Sequence, residues 1–196
     1  MTKIVDFYFT VLSSYAYLSA PRVAEVRART GASFIFKPMD IMRVFEASGT
    51  TPPPKQPDAR KAYRATDLSR VAKAHDMPIN LKPAFWPASQ NLASGVIIAA
   101  QEGGNDPMAL THAILKAVWA DDLNIADAAT LENIAVSCGF DGEDLVGQAD
   151  SDAVQAIFEA NTKEAIEKNV FGSPSFFVDG ELFWGQDRLS YVEAAL

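Results

Sequence analysis

The chain has 196 residues, 48% hydrophobic and 21% charged, which is enough apolar length for a sizeable core in one domain or in a domain with an insertion. A formal net charge of −8 with no Lys/Arg cluster repels a phosphate backbone and argues against nucleic-acid binding, and no apolar run reaches the roughly 18 residues that would span a membrane. One cysteine (Cys138) cannot close an internal disulfide, and with only two histidines it cannot supply a common zinc site, so no metal is expected.

Ile4 to Phe9 reads as a short buried strand that begins almost at the N-terminus, without the apolar core of a signal peptide. With the single cysteine, this predicts a protein of the reducing cytoplasm. A helix is expected over Ser14–Thr30, stopped by Gly31, and a second strand over Ser33–Pro38. The resulting β-α-β opening favours parallel strands with a right-handed crossover. Gly49 to Pro57 (GTTPPPKQP) is too proline-rich for regular structure and reads as a loop. The periodicity is then helical almost throughout, with helices predicted near Asp58–His75, Ser89–Gln101, Pro107–Ala120, Ala128–Cys138, Gly142–Gln148 and Ser151–Asn169. Pro107 suits a first helical turn, and Asp127 or Asp150 is a candidate N-cap. The end returns to strands: SFFVDGELFWG has apolar runs on either side of Asp179-Gly180, a hairpin signature, and a terminal helix follows in QDRLSYVEAAL.

Most familiar catalytic motifs are missing. There is no H-E-x-x-H, C-x-x-C, Walker loop or G-x-G-x-x-G. His75 is expected at a helix end as a surface residue, and Cys138 as a small packing residue with no histidine nearby in sequence. Three stretches carry candidate chemistry. In LSSYAYL, Ser13 closes a strand-to-helix joint and Ser14 can start the helix. A serine there is a favoured cap and needs no function, yet it also lies beside free N–H groups and about half a positive charge from the helix dipole, a setting that favours a thiolate or another anion. That segment alone fits both roles. In VFGSPSFFVDG, Pro174 either opens the strand or sits in a cis bond that turns the Ser173 N–H and C=O toward an extended peptide ligand. In FWGQDRL, Gly185 permits a sharp exit. There Asp187 is either a cap or, with nearby N–H groups, a holder of the charged ends of an amino-acid-like ligand.

Together these segments resemble the 2-hydroxychromene-2-carboxylate isomerases and their relatives, the kappa-class glutathione transferases, within the DsbA-like thioredoxin superfamily. DFYF…LSSYAYL is similar to the family's DFYFDFLSPYSYL, and FGSPSFFVDGELFWGQDRL to its FGVPTFFVDGEMFWGQDRL; AVWADDLNIAD also fits a mid-chain helix and loop. The resemblance runs essentially end to end. It implies an α/β fold: a thioredoxin-like domain (β-α-β … β-β-α) formed by residues 1–45 and 160–196, with an all-helical domain inserted over 46–159. It implies glutathione as the cofactor and Ser13 as the catalytic residue, with Thr50, Ser173, Pro174, Trp184, Gly185, Gln186 and Asp187 joining Ser13 in holding glutathione. Ser13 and Ala16 stand where thiol oxidoreductase relatives carry their two cysteines, so a disulfide cannot cycle here. A homodimer is a further implication. The small aromatic acid substrate would need a cation for its carboxylate, for which Lys37 and then Lys55 are the candidates, and an apolar wall that draws on Trp86 and its neighbours Phe85 and Pro87. The sequence departs from the family pattern at Ser14 (usually Pro), Ala16 (commonly Ser), Thr50 (Asn in kappa-class relatives) and Ser173 (Val or Leu). The chemistry expected first is glutathione-dependent cis/trans isomerisation of a conjugated ring-cleavage acid. The alternatives are transfer of glutathione to an electrophile and, last, a non-catalytic thiol- or peptide-binding module.

Overall fold

The computed structural model describes residues 2–196. Strand β1 (Ile4–Phe9) lies at the centre of a four-stranded mixed sheet of order β2-β1-β3-β4, with β2 over Ser33–Pro38, β3 over Ser175–Val178 and β4 over Glu181–Trp184. β1 pairs with β2 in parallel and with β3 antiparallel. The β3–β4 hairpin turns at Asp179 and Gly180, both at positive φ (50° and 87°), as a tight Asp-Gly turn requires. Helix α1 (Ser14–Thr30) makes the crossover from β1 to β2 and ends at Gly31 in the left-handed conformation, whose N–H closes on the Arg27 carbonyl. This is the thioredoxin-like β-α-β and β-β-α frame expected from the sequence.

Between β2 and β3 the described chain is helical: α2 (Ile41–Ser48), α3 (Asp58–Ala74), α4 (Asn91–Glu102), α5 (Met108–Trp119), α6 (Ala128–Ser137), α7 (Gly142–Ala149) and α8 (Asp152–Glu167), with α9 (Leu189–Ala195) closing the chain. α2 was not expected. It has only eight residues and buries only Ile41 and Val44, so its periodic signal is short, but Asp40 caps it by accepting from Met42 N–H at 2.9 Å. Asp127 caps α6 as expected; α8 is capped by Ser151 and not Asp150, and Pro107 precedes α5 as its cap residue. The expected domain boundaries at 45/46 and 159/160 fall inside α2 and α8, two continuous helices.

Alternation along the strands sorts two faces. Phe7 and Phe9 point to one side, where Phe7 stacks on Phe176 (ring centroids 4.8 Å apart) and meets Phe36 edge-on at 5.6 Å. One buried cluster runs from these rings through α1 and across α4 to α8. Asp6 and Tyr8 point to the other side, toward α2 and α8. There Lys37 Nζ lies 2.7 Å from Glu164 and 3.3 Å from Asp6, and Lys168 Nζ lies 2.9 Å from Glu164 and 3.1 Å from Asp6, both lysines also donating to the Tyr8 hydroxyl. This corrects one expectation: Lys37 is not free to meet a substrate carboxylate, because two carboxylates already neutralise it on that face of the sheet.

Two tests follow from this packing. A Cβ on Gly95 in α4 would fall 2.4 Å from the Ala149 carbonyl oxygen at the end of α7, a backbone atom that can yield only if the helices separate. Gly95→Ala is expected to destabilise by about 2 kcal/mol and to lower the melting temperature by about 4–8 °C in a thermal scan. Burial alone would raise the Glu164 pKa, but the hydrogen bonds from Lys168, Lys37 and Tyr8 outweigh it and hold the carboxyl at about 2, against an ordinary 4.5. The stabilisation is therefore complete above pH 4.5 and is lost as the pH falls through about 2, so denaturant titrations should show a decline over that window that Glu164→Gln flattens.

Candidate functional site

The site forms where the antiparallel pairing of β1 and β3 brings two joints together: the turn from β1 into α1, and the segment entering β3. Ser13 has extended backbone angles (φ −88°, ψ 116°) and closes the first joint, its N–H bonded to the Thr10 carbonyl at 3.0 Å. Its hydroxyl accepts from Ala16 N–H at 3.1 Å and donates to the Ser173 carbonyl at 3.0 Å, and the residue is 8% exposed. Ser13 is thus both the helix cap and a bond across the site, while Ser14 is the first helical residue behind it. Among the described residues, the N–H groups of Ser14 and Tyr15 have no partner, so the positive end of α1 is open at this point.

The second joint is built from the other end of the chain. The Ser173–Pro174 bond is cis, the alternative that the sequence left open. Ser173 Oγ accepts from Thr10 N–H at 3.1 Å, so the two joints are bonded twice. The Ser173 N–H has no described partner, and the Pro174 carbonyl accepts from Gly185 N–H at 3.0 Å. Gly185 sits at φ 114°, and a Cβ there would lie 2.7 Å from Asp187 Oδ1, so the carboxylate leans over a position that only glycine fills. Asp187 is exposed and pairs with Arg188 at 3.2 Å, within a 3-10 turn over Gln186–Arg188. Gln186 is largely buried, and its side-chain oxygen accepts from Arg22, which leaves only the amide NH2 for a ligand. Trp184 packs on Phe171 (ring centroids 4.8 Å apart) and closes over Gly172, where a Cβ would come within 2.1 Å of Trp184 Nε1. The Thr50 hydroxyl donates to the Phe171 carbonyl at 3.3 Å and lines a cleft of about 540 Å³ with Ser48, Asn169 and Phe171.

Beneath the joints runs a polar relay that sequence reasoning missed. The Thr10 hydroxyl donates to Gln90 Oε1 at 2.6 Å and accepts from Leu12 N–H at 3.2 Å, and the Asp40 N–H reaches Thr162 Oγ1 at 2.9 Å. Thr10 is 3% and Gln90 8% exposed, so these bonds are made away from water and fix the turn that presents Ser13. Nothing in the spacing of Thr10 and Gln90 signals the contact, because it joins a strand end to the start of α4.

The helical block supplies the opposite wall. Trp86 is half-buried, donates from Nε1 to the Leu12 carbonyl at 3.0 Å, and lies 5.8 Å from the Trp119 ring, so the expected aromatic residue does stand beside the Ser13 turn. Lys55 is exposed in a 3-10 turn over Pro53–Lys55 and forms no ion pair among the described residues. The cation that the structure brings close is Arg64, which the sequence reading passed over: Nη2 donates to Ser14 Oγ at 2.8 Å, and the guanidinium lies 5.4 Å from the centroid of the Tyr15 ring. One signal was present, since Arg64 precedes the buried Leu68 by one helical turn and so shares its inward face. Tyr15 in turn donates to Asp67 at 2.8 Å, and burial together with that bond holds its hydroxyl well above the usual phenol range. Among the described residues no group of three His, Cys, Asp or Glu side chains could hold a metal, and no helix is long and apolar enough to cross a membrane.

The arrangement presents an open helix N-terminus and one serine hydroxyl between a peptide-like edge and a wall of aromatic and cationic side chains, which suits an anion borne by a small peptide. Residues 4–196 match the model of the DSBA-like thioredoxin domain family. Two proteins named 2-hydroxychromene-2-carboxylate isomerase are similar over nearly their whole length. That of Sphingobium xenophagum is 29% identical over 100% of this chain and 99% of its own, and that of Pseudomonas sp. (strain C18) 31% identical over 98% and 90%. A solved structure of a 2-hydroxychromene-2-carboxylate isomerase superposes with a TM-score of 0.81 at 28% identity, covering 98% of this chain and 93% of that one.

Proposed function

The chain belongs to the DSBA-like thioredoxin family and stands with its 2-hydroxychromene-2-carboxylate isomerases, and from that premise we propose that it is a glutathione-dependent isomerase of a conjugated ring-cleavage acid, of the 2-hydroxychromene-2-carboxylate to trans-o-hydroxybenzylidenepyruvate type. The observation that carries this reading is the Ser13 hydroxyl, held at the open end of α1 and 3.0 Å from the Ser173 carbonyl. The cysteine of glutathione would lie along Ser173, giving its N–H to that carbonyl and taking the Ser173 N–H. Thr50, Trp184, Gly185 and Asp187 would receive the rest of the tripeptide, and Pro174 would shape the edge. Once the ligand occupies the Ser173 carbonyl, the Ser13 O–H is released to turn to the sulfur.

A free thiol with a pKa of about 8.5 is only a few per cent ionised at neutral pH. A hydroxyl donor, the unpaired Ser14 and Tyr15 N–H groups and the helix dipole all favour the thiolate at this position. The thiolate adds to the conjugated carbon of the ring-opened acid: a C–S bond forms, and the electrons of the double bond move onto the carbonyl system. The former double bond is then single and rotates. Elimination breaks the C–S bond and restores conjugation in the other geometry, so glutathione leaves unchanged. Trp86 would form part of the apolar wall around the aromatic ring.

The test is the ultraviolet thiolate absorbance of bound glutathione across pH, in wild type and in Ser13→Ala. Wild type is expected to ionise the thiol well below pH 8.5; the variant should move that transition up by about one unit and slow isomerisation by about 10²-fold. Identical curves for the two proteins would sink the reading and leave Ser13 as a helix cap. Stoichiometric loss of thiol during turnover would identify a transferase instead.

A further inference from the structure

Among the described residues Arg22, Arg60, Arg64 and Arg70 form no ion pair with a carboxylate, and of these Arg64 is the one hydrogen-bonded to the turn that carries Ser13. Arg27, Arg29, Arg43 and Arg188 each lie against a carboxylate. Arg64 does not, although it is half-buried and burial pulls its pKa below the usual guanidinium value. Asp67, one turn further along α3, is engaged by the Tyr15 hydroxyl. The one described hydrogen bond of the Arg64 guanidinium is to Ser14 Oγ at 2.8 Å, which leaves most of its five donors unused. None of the unused Arg64 donors is among the buried side-chain atoms without a partner, so they stay accessible to an anion.

Its position says which anion. Ser13 Oγ is turned toward Ser173 and the β3 edge, whereas its neighbour Ser14 holds Arg64 on the α3 side. Tyr15 lies under the guanidinium on that side, and Trp86, anchored to Leu12, adjoins the same turn. We propose that Arg64, steered by Ser14 and backed by the Tyr15 ring, binds the carboxylate of the aromatic acid and makes the enzyme selective for anionic over neutral conjugated substrates. This rests on the isomerase reading for the identity of the acid, but not for the site itself. A planar guanidinium offers a carboxylate two parallel hydrogen bonds, and the Tyr15 face fixes the plane in which they are offered. Ser14 is then a positioning residue. Its fully buried hydroxyl does not reach the ligand, but it sets where the fork points.

The experiment uses trans-cinnamate and its neutral amide, trans-cinnamamide, as probes, with binding measured by calorimetry in the absence of glutathione. Wild type is expected to hold the carboxylate about tenfold or more tightly than the amide; Arg64→Met should erase that ratio while leaving amide binding intact, and Arg64→Lys should restore only part of it. Ser14→Ala should lower the ratio without abolishing it. Melting curves identify any variant that has lost its fold, and the wild-type ratio by itself needs no variant: equal affinity for the two probes overturns the proposal. A normal ratio in Arg64→Met, or a change confined to glutathione affinity or to its thiol pKa, also overturns it and assigns Arg64 to the cofactor. Failure of the isomerase reading appears separately, as an unshifted thiol in wild type, because the cinnamate measurement contains no glutathione.

Discussion

The pair of hydrogen bonds between the β1–α1 turn and the segment entering β3 is the contact on which the site depends. Thr10 N–H to Ser173 Oγ and Ser13 Oγ to the Ser173 carbonyl join residues about 160 positions apart in the chain. The antiparallel register that pairs Tyr8 with Ser175 sets the distance that both bonds need. Everything inserted between β2 and β3 must leave that register intact, and it does so because β1 is held from both sides, by β2 in parallel and by β3 antiparallel. The relay from Thr10 to Gln90 then ties the turn to the start of α4, so the helical block and the sheet fix Ser13 jointly.

Charge is distributed to match. The net charge of −8 sits largely on exposed carboxylates, and the densest set of charges, Lys37 and Lys168 with Asp6 and Glu164, balances itself around Tyr8 on the face away from Phe7 and Phe9. The Ser13 side has no carboxylate among the hydrogen-bond partners of Ser13 or Ser14 and carries the unpaired positive end of α1. The net negative charge does not cancel the field at that end, which is local: helix-terminus dipoles act within the first turn, and distant exposed carboxylates are screened.

Much of the fold was legible. The strands at Ile4, Ser33 and Ser175 and the Asp-Gly hairpin have short-range signatures, and they stand where the pattern put them. α2 was not legible, because eight residues burying only Ile41 and Val44 give too short a period to read against the proline at 38. The positions of Ser13 and Ser173 at the two joints were legible because each sits at an element boundary, where a residue's backbone geometry follows from its neighbours. The two carboxylate partners of Lys37 and the lack of one at Arg64 were hidden for the same reason. Sequence reveals that a lysine lies near a strand end or that an arginine lies on a helix face, but only the packed structure reveals whether a carboxylate has already claimed it. The bond from Arg22 to the Gln186 side-chain oxygen was hidden in the same way, because it joins residues far apart in the chain.

The buried cluster that begins at Phe7 and Phe9 continues without a break through α1 into α4, α5, α6 and α7. Connectivity makes the helical block look like an insertion, but α4, on which α7 packs, also packs on β2, so the apolar interior of the block is continuous with the sheet side. Opening the block therefore exposes the rings behind β1 at the same time, and the free energy of that opening approaches that of the whole molecule. The slowest-exchanging amides should be shared between β1 and α4 rather than confined to the thioredoxin frame, which would make this chain one folding unit despite its interrupted topology.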